Sequence, residues 1–460
     1  MNQGVNLTYQ VEDKPKFPQI LVFALQQLLA IMAATIAVPA IIQHGMQASA
    51  ALFGAGVGTL VYLLFTKFKS PVFLGSSFAF LGSMGAAFAG AVSASAGFLG
   101  LIIGAVFAGL VYVVIALVVK FAGTKWISKL MPAVVIGPTV AIIGLSLAGN
   151  AISDLTTNNA ASGGLPCSPY VAIVCGLVTL AVTIICSVYG KEMLKMIPFV
   201  MGILAGYAVA MIFTLIGKFA GIEALRVIKL GMLKPANWAW YPDFTFLTAF
   251  SGNYDFGDFG SFGAFLGSIA VAYIPVAFVV FAEHIADHKN LSSIIGRDLL
   301  EKPGLHRTLL GDGIGSMAGA FFGGCPNTTY GESVGCVAIS GNASVLTILY
   351  TACMAIVISF IGPFSAFLAS IPACVMGGVC IALYGFIAVS GLKMIQGVDL
   401  SDNRNLFVVS VILIAGVGGM TVNFGSVSIT KVACALILGI LTNIICSKAK
   451  KNDNNEEENK

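Results

Sequence analysis

Long apolar runs recur from end to end of this chain, separated by short breaks rich in charge, glycine, proline or asparagine. A helical run of about 18 or more apolar residues can cross a hydrocarbon layer roughly 30 Å thick. Reading runs between breaks places candidate spans at 18–42, 49–66, 71–91, 96–121, 131–149, 170–188 and 196–217 in the first half. In the second half they fall at 259–285, 309–324, 327–339, 343–365, 371–392, 405–421 and 429–447. That is fourteen, seven per half. Three of them, 71–91, 309–324 and 327–339, are weak on length or polarity, so hydropathy alone supports eleven or twelve.

Composition agrees with this pattern. Of 460 residues, 58% are hydrophobic and 10% charged, and the mean hydropathy is +0.94. Soluble proteins carry about a quarter charged residues, so this chain cannot cover itself with a polar surface. The expected class is an all-α polytopic membrane protein. The net charge of +4 is too small to indicate a partner, and no nucleic acid is expected. Most of the ten cysteines lie inside apolar runs and none has metal-ligand spacing, so they read as small hydrophobic residues. No cofactor, metal site or signal peptide is expected, and the nucleophile cluster of a membrane-embedded enzyme is missing.

Orientation follows from lysine and arginine. With both termini inside, 19 of the 24 basic residues fall in inner segments, as the positive-inside rule requires. Seven spans per half then make the second half enter from the opposite side, an inverted repeat. The expected organisation is an inner tail at 1–16, repeats at 17–217 and 259–447 joined by an outer connection at 218–258, and an unstructured inner tail at 448–460. Transporters of this kind bind substrate near the midplane, at broken helices in matching positions of the two halves. "SPVFLGSSFAF" (Ser70–Phe80) opens the third span and "CPNTTYGESVG" (Cys325–Gly335) the tenth. Pro71 and Pro326 disfavour helix just before themselves, and Gly75 and Gly331 weaken it further. Both segments therefore read as short extended stretches leading into half-helices.

Charges inside the spans are few. In "VVFAEHIADH" (Val279–His288), Glu283 follows some twenty uncharged residues, and Asp287 lies one helical turn on, on the same face. Glu332 sits in the tenth span. A charged side chain at a helix centre costs roughly 2.5–3.5 kcal/mol on insertion scales, so two glutamates, one beside a broken helix, point to a shared polar site. A buried carboxyl group beside a second one is suited to carrying a proton, which makes Glu283 the expected proton carrier with Asp287 tuning it. "SGNYDFGDFG" (Ser251–Gly260) reads as an outer loop. "IIGRDLLEKPGLHR" (Ile294–Arg307) reads as an amphipathic inner segment.

Five stretches, "LGSSFAF" (Leu74–Phe80), "AEHIADH" (Ala282–His288), "DLLEKPGLHR" (Asp298–Arg307), "PNTTYGES" (Pro326–Ser333) and "LYG" (Leu383–Gly385), occur in the order of the nucleobase–ascorbate transporter family. The chain resembles that family, in its bacterial uracil permease branch, from about residue 17 to 447. The resemblance implies a core domain from spans 1–4 and 8–11, and a gate domain from spans 5–7 and 12–14 that joins two protomers. It implies that Glu283 and Glu332 grip the nucleobase and that the amides of Phe78 and Gly331 donate to its carbonyls. Tyr384 would make the gate-side contact, with Tyr330 beside the site.

The implied activity is proton-coupled uracil import across a bacterial inner membrane by alternating access, with the proton as coupling ion. Purine permeases of the family, for xanthine or urate, are the alternative, and anion transporters of the same architecture are a more distant one. Relatives that carry purines have glutamine at the position of Glu332. The family pattern also has histidines where this chain has Asp287 and Gln27.

Overall fold

The structure, a computed structural model, describes residues 7–157, 164–191, 193–424 and 427–457. Its helices in the first half are α1 (Phe17–Ile42), α2 (Ala48–Phe65), α3 (Leu81–Ala87), α4 (Ala94–Ala122), α5 (Lys125–Leu130), α6 (Ala133–Ser146), α7 (Ala148–Thr156), α8 (Pro169–Tyr189), α9 (Met193–Met196) and α10 (Pro198–Ala220). There follow α11 (Thr245–Ala249), α12 (Phe262–Ile295), α13 (Leu305–Gly323), α14 (Gly331–Ser340), α15 (Val345–Ile358), α16 (Gly362–Ser370), α17 (Ala373–Met394), α18 (Asn403–Val417) and α19 (Lys431–Glu457). Local chemistry sets many ends. Ser93, Ser261 and Asp402 cap α4, α12 and α18 by accepting backbone N–H bonds. Gly296, Gly324 and Gly341 close α12, α13 and α14 in the left-handed conformation.

Every apolar stretch read from the sequence contains helix, but not always one helix. Among the described residues, eight helical stretches are long and apolar enough to cross a membrane: α1, α2, α4, α6 with α7, α8, α10, α12 and α17. The stretch at 343–365 is a pair, α15 and α16, bent by 86°. The stretches at 71–91 and 327–339 begin as strands, β1 (Leu74–Ser76) and β2 (Asn327–Thr329). The segment Ile294–Arg307 holds the end of α12, a break at Gly296, a π-helical turn at Leu300–Gly304 and the start of α13. The polar tail is tied down from Leu7 onward, where the carbonyls of Tyr9 and Val11 accept from Ala343 and Val345 N–H at 2.9 and 3.0 Å. At the other end α19 runs on as helix through 448–457, where an unstructured tail was expected. The outermost tail residues, 1–6 and 458–460, lie outside the described residues.

The helices pack in two groups. In one, α13 lies against α2 and α4, α12 against α4, α15 against α1 and α2, and α14 against α1. In the other, α17 lies against α6 and α8, α18 against α6 and α19, and α10 against α8. The groups meet where α1 touches α10 and α17, and where α12 touches α6 and α19.

Small residues permit the closest pairs. On α2, a Cβ at Gly54 would collide with the Gly319 carbonyl, and one at Gly58 would lie 2.7 Å from the Gly315 carbonyl. The pair α6 and α17 repeats the device, with Gly137 and Gly391 each facing the other's carbonyl.

Between α2, α12 and α13, β1 and β2 pair antiparallel, Leu74 with Thr329, Gly75 with Thr328 and Ser76 with Asn327. Further bonds from Ser77 N–H to the Pro326 carbonyl (2.9 Å) and from Tyr330 N–H to that of Phe73 (3.3 Å) extend the ladder.

Gly54→Val should force α2 away from the α13 backbone at a cost of about 1–3 kcal/mol. A lower thermal unfolding midpoint in detergent, with Ala51→Gly as a control on α2, is the expected result.

Candidate functional site

The strand pair determines where two short helices begin. Phe78 opens a 3₁₀ turn (Phe78–Phe80) that leads into α3, and Gly331 opens α14. The first N–H groups of any helix lack intrahelical partners and carry its positive dipole end. Both starts therefore present free donors beside the ladder. Gly331 is exposed and Glu332 half-buried, although both lie in an otherwise apolar, packed segment. A Cβ on Gly331 would meet only Asp287 Oδ1, at 3.7 Å. The hydroxyl of Ser77, just before Phe78, is buried without a protein partner.

Helix α12 supplies the facing acids. Glu283 is half-buried, and its electrostatic neighbours are Asp287, Glu332 and Asp312. Asp287 Oδ2 accepts from Thr329 Oγ1 at 2.8 Å, which fixes it to β2. Four carboxyl groups from α12, α13 and α14 thus converge, and among the described residues neither lysine nor arginine pairs with any of them. Such a cluster requires hydrogen donors, either protons or the N–H groups of a ligand.

The two tyrosines differ. Tyr384 on α17 is buried and meets Phe78 edge-on at 5.6 Å between ring centroids. It brings the second helix group to the wall that carries the Phe78 amide. The Tyr330 ring instead lies over Gly75, and its hydroxyl donates to the Ser76 carbonyl at 2.9 Å. It closes the strand pair, and only glycine at 75 leaves room for it.

Further residues brace the site, and of these only Gln27 was singled out from the sequence. Gln27, where the family pattern has histidine, donates from Nε2 to Ser333 Oγ, which also accepts from Phe73 N–H at 3.0 Å. It ties α1 to α14 and to the chain entering β1. His284 Nδ1 lies 2.7 Å from Asp312 Oδ2 and its Nε2 3.0 Å from Thr308 Oγ1, with all three side chains buried. Asp312 Oδ1 and the Tyr112 hydroxyl have no protein partner and border a cavity of about 10 Å³ shared with Ser316 and Asn327. A lone acid within the glycine-rich stretch 309–324 was the available signal for Asp312.

Long apolar helices around a polar site with broken segments define a multi-pass membrane transporter. Residues 18–425 match the family model Xan_ur_permease, described as a permease family. The chain belongs to this family, that of the nucleobase–ascorbate transporters, and is a permease and not an enzyme. It is 40% identical to the uracil permease of Bacillus caldolyticus, over 95% of this chain and 94% of that protein. It is 38% identical to that of Bacillus subtilis (strain 168), over 96% and 95%, and 34% identical to that of Escherichia coli (strain K12), over 95% and 93%. Among solved structures, the transmembrane domain of the cyanobacterial bicarbonate transporter BicA superposes with a TM-score of 0.57 at 15% identity, covering 95% of this chain and 99% of that one. The murine anion transporter Slc26a9 in the inward-facing state gives 0.65 at 14% identity, covering 95% and 70%. These two likenesses establish the shared fold only.

Gln27→Ala should loosen the junction of α1, α14 and the β1 segment, costing about 1–3 kcal/mol through the buried partners it leaves. Thermal unfolding should show the loss, and Gln27→His should restore most of it.

Proposed function

We propose that the chain is a proton-coupled uracil importer of a bacterial inner membrane, working by alternating access. The observation that carries this reading is the gathering of acceptors and donors beside the β1–β2 ladder. Glu283 and Glu332 offer carboxylate oxygens, and the helix starts at Phe78 and Gly331 offer backbone N–H groups. Uracil presents N–H donors and carbonyl acceptors in alternation, and a site that pairs each of them rejects analogues that leave one unpaired. Uracil permeases at 34–40% identity over nearly the whole chain support the same substrate. Glutamate at 332, in place of glutamine, favours uracil over xanthine.

In this reading fourteen spans form two inverted repeats. Support comes from paired contacts. The packing of α4 on α12 and α13 is mirrored by that of α15 on α1 and α2, and the packing of α8 on α17 and α10 by that of α18 on α6 and α19. The first helix group is the core and the second the gate, through which two protomers associate. Both termini face the cytoplasm. Glu283 carries the coupling proton, with Asp287 beside it. An anion as cargo is disfavoured, because four acids that pair with no lysine or arginine among the described residues would repel it.

Glu283→Gln should abolish labelled uracil uptake while the protein still reaches the membrane; uptake at the wild-type rate would remove Glu283 from the mechanism. Glu332→Gln should weaken uracil binding by ~10–100-fold, the effect of about 1–3 kcal/mol. A binding titration against uracil and xanthine checks both the size of the loss and the specificity. A protonophore should collapse uracil accumulation, whereas an equal inward sodium gradient should not replace the proton gradient.

A further inference from the structure

His288 is the one buried histidine whose partners lead away from the cavity. It is 1% exposed, and it turns from the face of α12 that carries Glu283 and Asp287 toward α2. Its Nδ1 lies 2.8 Å from the backbone carbonyl of His284. A carbonyl only accepts, so Nδ1 carries hydrogen, and Nε2 of the neutral ring is free to accept. Nε2 lies 2.7 Å from the Tyr62 hydroxyl, which lies 2.7 Å from Ser70 Oγ. Tyr62 and Ser70 are both fully buried. Ser70 follows the exposed residues Lys67, Phe68 and Lys69 in the α2–β1 connection, a segment on the inner side in the proposed orientation.

The Tyr62 hydroxyl has one hydrogen and two neighbours at the same distance. When His288 is neutral, that hydrogen satisfies Nε2, and Ser70 donates to the tyrosine oxygen. When a proton arrives at Ser70, each hydroxyl passes one hydrogen inward. Ser70 and Tyr62 end unchanged, and Nε2 gains the proton. The bonds then run the other way, from Nε2–H to Tyr62 and from Tyr62 to Ser70. Because Nδ1 is held by a carbonyl, the ring is an end point of this chain and not a conduit through to the cavity.

The groups in contact with His288 are His284 on its own helix and Tyr62 on α2; Asp312 on α13 lies behind His284, and Asp287 precedes His288 on α12. The His284 ring stacks on it at 4.0 Å while bonded to Asp312. Tyr62 has Asp312 and Asp287 as electrostatic neighbours. A cation on His288 would therefore be linked to the acid cluster through the His284–Asp312 pair and through Tyr62.

We propose that His288 is a second proton-holding residue, loaded and unloaded from the inner face through Ser70 and Tyr62, whose charge sets when the acid cluster releases its own proton. It is a positioning residue for coupling and does not touch the substrate. The proposal rests on the proton-coupled reading above.

The test uses the full-length protein in proteoliposomes. His288→Gln keeps a polar partner for Tyr62 but cannot take up a proton, and Tyr62→Phe removes the connecting hydroxyl. Both should retain uracil binding and gradient-free counterflow within about twofold, and lose pH-gradient-driven accumulation by ~10-fold or more, as expected for a severed proton relay. A merely structural pin would lower binding, counterflow and the unfolding temperature together, and that result would overturn the proposal. So would accumulation at the wild-type level in both variants. If the wild-type protein accumulates uracil with no dependence on the proton gradient, the coupling reading itself fails, and this result is distinguishable because it needs no variant.

Discussion

Backbone amides at membrane depth have no water to bond, and the rest of this structure follows from how six residues meet that constraint. Leu74–Ser76 and Asn327–Thr329 leave the helical state and bond to each other across the chain. Non-helical backbone within a membrane protein survives only when it is buried in protein or faces a watery cavity, and here the first condition holds, since all six strand residues are buried. The ladder satisfies the strand amides, while the helix starts that follow, at Phe78 and Gly331, retain donors beside it. The supporting contacts serve the ladder. Thr59 Oγ1 accepts from Leu74 N–H at 2.9 Å, Asn327 Nδ2 donates to the Gly54 carbonyl at 3.1 Å, and Tyr330 covers Gly75.

Close helix contact serves the same end. The glycines of α2 and α13 let two backbones touch directly beside the ladder, and those of α6 and α17 do so in the other helix group. Interfaces of this kind rely on packing and not on expulsion of water, because lipid tails are as apolar as the helices. They make each group stiff. Under the proposed reading, movement between states is then confined to where the groups meet, along α1 with α10 and α17 and along α12 with α6 and α19. Phe78 and Tyr384 meet across that boundary.

What the sequence made legible is what local chemistry encodes. Pro71, Gly75, Pro326 and Gly331 mark the breaks because proline and glycine act on their own backbone. Glu283, Asp287 and Glu332 stand out because charge in an apolar run is costly wherever it lies. Contacts between distant residues left no such trace. Gln27 meets Ser333 across 306 positions, and nothing near Gln27 distinguishes a brace from a residue lining the site. Asp312 was hidden in a stretch too rich in glycine to read as a firm span, and its importance lies in the His284 ring 28 residues earlier. Tyr330 is placed beside the site by the resemblance alone, and no local signal showed that alternation along the extended segment turns its ring onto the facing strand. The bent α15–α16 pair and the tethered amino-terminal tail likewise depend on partners far away in sequence.

The likeness to anion transporters separates fold from chemistry. A fold hosts unrelated cargoes, and the cargo is decided by the side chains placed at the site. In this chain the two helix starts supply positive dipole ends, which by themselves would suit an anion. The acids reverse that preference. Glu332 sits in the first turn of α14, where its charge is stabilised by the same dipole that would otherwise attract a free anion. Glu283 and Asp287 are its neighbours from α12, and among the described residues no lysine or arginine pairs with them. What remains attractive to such a site is a neutral molecule with its own N–H donors and carbonyls, able to engage the carboxylates and the amides at once. Under the proposed reading, a bare anion satisfies only the amides and a bare cation only the carboxylates, so the mixed character of the wall, and not the fold that carries it, would select a nucleobase.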